Sequence, residues 1–425
     1  MTNRLPLTAP SCSDDHDPEA LHVETAQQRI IAAITPLSDT EAEYLPLRES
    51  LDRVLADTVV ANMDVPPSPN SAMDGYGLLG TDLPVQGSRE LRVIGSSYAG
   101  HPFPGRVTAG ECVRIMTGAV IPAGVDTVVA QEHVQLLEAE RICIDGRSKT
   151  GDNVRRAGED ISQGQTLLAA GHRIGTADLG LLASVGMTEV RVQRRLRVAF
   201  FSTGDELRGV GESLAPGQIY DSNRYTLYGM LMRQHCQISD LGSVPDDPAA
   251  LRTTLLAAAP HHDLIIATGG VSVGDADHVR RVFAELGELN FWKVAMKPGR
   301  PLTFGRLQQA WFFGLPGNPV AVMVSFCQFV LPALQQLAGT ATTPPLRVKA
   351  TSTSVLKKRP GRTEYQRGIL SYDPAGNLLV SKTGEQGSGI LSSMSKANCF
   401  IVLSIEQTRI EPGQIVTVQP FAGLL

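Results

Sequence analysis

The stretch DLIIATGGVSVGDADHV, from Asp263 to Val279, puts chemistry-bearing residues close together. An apolar run ends at Thr268, Gly269 and Gly270, a hydroxyl follows at Ser272, and two carboxylates stand at Asp275 and Asp277. The glycines let backbone approach a ligand closely, and a helix starting near Asp277 offers free N–H groups to an anion. The loop lacks both G-x-x-x-x-G-K-[ST] and G-x-G-x-x-G, which excludes a nucleoside-triphosphate P-loop and a dinucleotide fingerprint. Its acids, joined by Glu206 in FFSTGDEL and Asp246 in LGSVPDDP, would repel a bare phosphate. A hard divalent cation such as Mg2+ resolves the conflict, because carboxylates hold the ion and the ion holds phosphate oxygens. Asp275 and Asp277 equally suit a helix cap with a charged first turn.

Positive charge comes from FWKVAMKPGRPLTFG, where Lys293 and Lys297 stand four apart. On one strand they would share a face, with Trp292, Val294 and Met296 on the other, and so hold an anion from a partly buried element. In FFGLPGNPVAV, Pro316 and Pro319 fix a strand-to-helix turn that forms a wall beside the sheet edge. Three polar loops of the first half carry Asp74 (VPPSPNSAMDGYG), Thr117 (VRIMTGAVIPAG), and Arg155 with Asp160 (NVRRAGEDISQG). Each suits a turn by itself, and all three are the kind of loop on a β scaffold where functional residues sit.

The elements that position these residues follow from pattern. A chain of 425 residues is too long for one core and implies roughly two to four domains. With 38 basic and 43 acidic residues, a net charge of −5 gives no electrostatic case for nucleic-acid or membrane binding. Residues 1–24 lack a hydrophobic signal core and read as a disordered leader on a cytoplasmic protein. The 6 cysteines are scattered and read as reduced thiols. The longest apolar run, starting at Pro319, is broken by Ser325, Gln328 and Pro332 and reads as a buried helix.

Short β-rich runs between Gly/Pro turns predict a small β-barrel or sandwich over 64–160. Residues 45–63 and 161–190 form a linking domain, in which LRESLDRVLADTVVA reads as a helix running into a strand. Residues 25–44 and 191–340 alternate apolar strands with helices, which predicts a doubly wound α/β domain with a parallel sheet covered on both faces. Residues 341–425 return to short strands as a C-terminal β domain.

Nine ordered motifs, NSAMDGY, RIMTGA, RRAGEDI, FSTGDEL, GQIYDSN, TGGVSVGDAD, FWKVAMKPG, GLPGNPV and GRTEYQRG, resemble the molybdopterin molybdenumtransferase family, which includes bacterial MoeA and the gephyrin E domain. The resemblance runs from about residue 25 onward. It implies four domains in an elongated homodimer, with an α/β domain like that of the adenylyltransferase that makes the substrate. It further implies insertion of molybdate into adenylylated molybdopterin with release of AMP, using Mg2+ or Zn2+. That adenylyltransferase is a further expected partner.

Carried over by position, the catalytic residues are Asp74, Thr117, Asp160, Glu206, Asp246 and Asp277, with Glu206, Asp246 and Asp277 on the metal. Substrate binding falls to Arg155, Thr268, Gly269, Gly270, Ser272, Lys293, Lys297, Pro316, Pro319, Arg367 and Ser388. The chain departs from the family at Ser68-Pro69, where an aromatic and a polar or acidic residue are usual. Three rivals remain. A Mg2+ phosphohydrolase would need a nucleophilic Asp where the first strand ends in Ser-Thr-Gly. A scaffolding protein would not need the acids and lysines, and a lone adenylyltransferase would not need the β domains.

Overall fold

The computed structural model describes residues 20–138, 140–270 and 278–422. They divide into two compact units, one made of residues 44–51 and 55–192, the other of 20–43, 52–54 and 193–422.

The first unit holds a six-stranded sheet in the order Thr127–Ala130, Gly75–Leu78, Glu111–Ile115, Ser88–Ser97, Arg141–Asp145, Val134–Leu136. Leu78, Leu91, Cys112, Ile142 and Ile144 fill one of its cores. A separate core gathers Leu55, Val59, Leu168, Ile174, Leu182 and Val192 beneath the helix Thr176–Ser184. The helix expected over LRESLDRVLADTVVA does not form. Leu47–Glu49 makes a single 3-10 turn, and the left-handed backbone at Asp52 (φ 62°) stops helical propagation.

The second unit contains strands β1 (Arg197–Thr203), β2 (Gln237–Val244), β3 (Leu264–Thr268), β4 (Glu288–Lys293), β5 (Pro301–Leu307) and β6 (Ala310–Leu315). Their order in the sheet is β2-β1-β3-β6-β5-β4. The first three pairings are parallel, as expected, whereas β6–β5 and β5–β4 are antiparallel. The reason is the connection: β5 and β6 are joined by the two residues Gln308–Gln309, with Gln308 at φ 54°, and so short a loop permits only a hairpin.

Alternation along β1 and β3 buries both faces of this sheet. Val198, Phe200, Leu264 and Ile266 pack with α1 (Val23–Ala33), α2 (Ser222–Arg233) and the long α5 (Pro319–Leu337). Ala199, Phe201, Ile265 and Ala267 pack with α3 (Pro248–Ala258) and α4 (His278–Leu286). Helix α5 is long and apolar enough to cross a membrane by composition, but its side chains fill this core, as the sequence predicts. Its middle turn, Phe326–Val330, is π-helical, and Pro332 cannot donate to the preceding turn. The Gln328 carbonyl there accepts the Gln27 amide of α1 at 2.8 Å.

The leader ends earlier than residue 24. Leu21 donates to the Lys293 carbonyl at 2.8 Å and accepts from Ala295 at 2.7 Å, and Val23 is fully buried. An apolar face of Val23, Ala26 and Ile30 docks this segment on the core, a signal too short to read from Leu21 onward. Residues 1–19 lie outside the described residues.

Strands β7 (Val348–Ser352), β8 (Thr363–Tyr372), β9 (Leu378–Lys382), β10 (Cys399–Leu403) and β11 (Ile415–Pro420) follow. The order β8-β9-β7-β11-β10, with β10 pairing back to β8, closes a barrel around Ala350, Val380, Ile401, Val416 and Val418. Closure leaves the barrel strands without a free edge.

Candidate active site

A cavity of about 1200 Å³ lies within the second unit, lined by the carboxyl ends of the α/β strands and by the barrel. That end of an open α/β sheet is where such folds bind ligands. The sheet contributes Thr203 at the end of β1, Gly204 and Glu206 after it, Asp246 after β2, Gly269 and Gly270 after β3, and Pro316 after β6.

Glycine is obligatory at 269. Its φ is 83°, and a Cβ there would lie 2.2 Å from the Thr203 carbonyl oxygen. Thr268 is buried below the glycine pair and shares a 2.9 Å hydrogen bond with Ser202, so it supports the loop rather than lining the cavity. Thr203 donates its hydroxyl to Asp246 at 3.4 Å. Glu206, Asp246 and that hydroxyl are hard oxygen donors. Among the described residues no three acidic, His or Cys side chains cluster for a metal. The third expected ligand, Asp277, lies outside the described residues, as do Ser272 and Asp275.

Pro316 and Gly317 form a turn held from behind by Asn223, which donates to the Gly317 carbonyl at 2.7 Å. Pro319 is the first residue of α5 and contributes its fixed φ rather than a cavity surface. The next residue, Val320, donates its N–H to the Ser388 carbonyl at 3.1 Å, which ties the barrel loop carrying Ser388 to the helix start.

The shared face expected for Lys293 and Lys297 does not exist. Lys293 ends β4, whereas Lys297 belongs to the short strand Met296–Lys297, which pairs with β8 of the barrel. Between them the backbone turns: Val294 donates to Arg300 at 2.7 Å and Ala295 to Leu21. Only Lys297 lines the cavity. Its Nζ lies 3.4 Å from Glu364, a buried carboxylate that also accepts from Gln366 at 2.9 Å. The burial expected of Val294 and Met296 is observed.

Arg367 borders the cavity but is only 1% exposed. Its guanidinium donates to Ser393 Oγ at 2.9 Å and to the Gly387 carbonyl at 2.8 Å, and burial pulls its pKa below the usual arginine value. It therefore shapes the loop that presents Ser388. Sequence reading missed Lys357, Lys382 and Arg409, which also line the cavity. They lie on strands in no motif: Lys382 ends a barrel strand, and Lys357 and Arg409 sit opposite each other on a separate two-stranded ribbon, Leu356–Lys357 with Arg409–Ile410. Arg362 and Glu364 lay inside GRTEYQRG, a signal that was present but assigned only to Arg367.

The other four expected residues lie in the first unit. Thr117 donates to one Asp74 oxygen through its backbone N–H at 2.8 Å and its hydroxyl at 2.7 Å. Those donors, backbone first, hold the Asp74 carboxyl below its ordinary pKa, with Arg114 adding a smaller attraction. Arg155 is exposed on the strand Val154–Arg155, paired with Asn70–Ser71. Asp160, also exposed, donates its N–H to the Val65 carbonyl at 3.0 Å. Segment 65–74 is thus the common spine of all four.

Fold and site define a multidomain α/β and β protein with a cavity lined by both carboxylates and cations. The MoeA N-terminal region (domain I and II) matches residues 21–186, a probable molybdopterin binding domain 199–336, and the MoeA C-terminal region (domain IV) 349–421. A molybdopterin molybdenumtransferase of Haemophilus influenzae is 44% identical over 91% of this chain and 95% of its own length. Gephyrin of Dictyostelium discoideum is 33% identical over 89% of this chain and 59% of its own length. The crystal structure of a moeA protein of molybdopterin biosynthesis from Pyrococcus horikoshii superposes with a TM-score of 0.81 at 28% identity, over 94% of this chain and 100% of that one. The chain belongs to the molybdopterin molybdenumtransferase (MoeA) family, whose enzymes serve molybdenum cofactor biosynthesis.

Proposed function

We propose that this chain inserts molybdate into adenylylated molybdopterin, releasing AMP and the finished molybdenum cofactor. The observation that carries this reading is the composition of one cavity, which combines two carboxylates at strand ends, a positive-φ glycine cradle and several cations on the barrel. A ligand holding a pyrophosphate and meeting a second oxyanion needs all three. Glu206 and Asp246 would hold a divalent cation, with Asp277 as the third expected ligand. Their oxygen donors suit Mg2+, and the absence of His and Cys from the described cavity wall disfavours Zn2+. When bound, the cation would neutralise phosphate oxygens. The protein's own part is to cradle the phosphates on Gly269 and Gly270 and to supply fixed cations.

We further propose that the chain works as a cytoplasmic homodimer and receives its substrate from the adenylyltransferase that makes it. The test is to incubate purified protein with adenylylated molybdopterin, molybdate and Mg2+. AMP and a molybdenum-bearing pterin should appear together. AMP release without molybdenum uptake would reduce the activity to hydrolysis. Sedimentation showing a monomer at micromolar concentration would remove the dimer.

A further inference from the structure

Lys357, Lys382 and Arg409 line the cavity from the C-terminal β region, whereas Glu206 and Asp246 come from the α/β sheet. The short strands Leu356–Lys357 and Arg409–Ile410 run antiparallel with Lys357 directly opposite Arg409. Leu356 and Ile410 are buried, and Lys357 and Arg409 are exposed. Like charges directly opposite on paired strands destabilise the pair. Lys382 joins the same place, because its backbone N–H donates to Ser354 Oγ at 3.3 Å, close in sequence to Lys357. Arg409 meets Glu411, but among the described residues Lys357 and Lys382 have no ion-pair partner. Glu411 offsets part of the repulsion at Arg409, so the uncompensated charge facing the cavity is that of Lys357 and Lys382, and an anion would offset it.

We propose that Lys357, Lys382 and Arg409 form an oxyanion subsite that binds a tetrahedral dianion, a phosphate group or molybdate, without a divalent cation. The subsite rests on the reading above only for which oxyanion it serves. Lysine suits this role as a point charge, and Arg409 adds directed N–H donors.

The test uses the full chain freed of metal with a chelator and titrated calorimetrically at low ionic strength. Inorganic phosphate, AMP and molybdate are the probes, each used alone. The comparison is with Lys357→Gln, Lys382→Gln and Lys357→Gln/Arg409→Gln. Each variant should bind at least tenfold more weakly the anion that the wild type binds. Without anion its Tm should be no lower than that of the wild type, since repulsion is relieved, and Lys357→Arg should restore binding. Binding of phosphate and AMP alone assigns the subsite to the substrate's phosphate, and binding of molybdate assigns it to the metal oxyanion. Wild type that binds none of the probes, or variants that bind them equally well, overturns the proposal. Anion binding lost in the variants, on a protein that makes no molybdenum cofactor, leaves the subsite standing and removes the functional reading instead.

Discussion

Thr117 presents two donors to a single oxygen of Asp74, one from its backbone and one from its hydroxyl, 2.8 and 2.7 Å away. Two motifs 43 positions apart thus act as one group. A carboxylate bonded this way favours its charged form, so its pKa falls. Thr117→Val removes the hydroxyl and keeps the backbone donor, and the Asp74 pKa should rise part of the way to its ordinary value. Thr117→Ser should leave it low. The linkage has the sign of a depressed acid: its stabilisation is present above the unfolded-state pKa and lost as pH falls through the folded value. Carboxyl NMR titration of the three proteins decides this. An unmoved Asp74 in Thr117→Val would show that the backbone donor alone sets it.

The metal reading yields a second expectation. Asp246→Asn and Glu206→Gln each remove a charge but little volume, at residues partly or fully open to solvent. Both should keep the wild-type Tm within a degree or two while the Mg2+ concentration for half-maximal turnover rises by an order of magnitude or more. Normal Mg2+ dependence in either variant would take that residue off the ion.

Arg367 was legible as a site residue, but its job was not. It lies 1% exposed with its N–H groups on Ser393 and on a loop carbonyl, so its effect on substrate passes through the loop carrying Ser388. Arg367→Lys cannot reproduce a planar fork and would strand these acceptors. Charged hydrogen bonds are worth roughly 1.5–3 kcal/mol each, so a loss of about 3 kcal/mol is expected. Denaturant unfolding measures that loss. If stability holds and only substrate affinity falls, Arg367 contacts the ligand directly.

The physical source of each reading explains what was legible. Gly269 and Gly270 stood out because their backbone demands glycine, a demand written in the residue itself. Glu206 and Asp246 stood out because strand ends of an α/β sheet are readable from apolar runs. The lysine pair misled because a period of two holds only while a strand continues. The break at Val294 and Ala295 depends on Arg300 and on Leu21, far away in sequence. Lys357, Lys382 and Arg409 carried no local signal, since what brings them to one cavity is the pairing of strands distant in sequence, Lys357 facing Arg409 on a two-stranded ribbon and Lys382 on the barrel.

Lys297 and Glu364 supply the last expectation. Molybdate carries two negative charges and must sit near an anionic pyrophosphate. Two unit charges 4 Å apart at an effective dielectric of about 20 interact by roughly 4 kcal/mol. One cation would not offset all of that repulsion, and Lys297, half exposed in the cavity, is placed to supply more. Its pairing with Glu364 at 3.4 Å complicates a simple deletion, because Lys297→Ala also leaves a buried carboxylate with the Gln366 amide alone. Because Glu364 is buried, the cost exceeds that of an exposed pair and is on the order of 1–3 kcal/mol, which the fold should survive. Lys297→Ala should raise the molybdate concentration for half-maximal product formation at least tenfold and leave binding of adenylylated molybdopterin nearly unchanged. Adding Glu364→Gln should recover whatever stability was lost without recovering the molybdate requirement, which separates the two roles. Product formation against molybdate concentration in wild type, single and double variants is the measurement. An unchanged half-saturation point, with the loss confined to pterin binding, would move Lys297 from molybdate to the pyrophosphate.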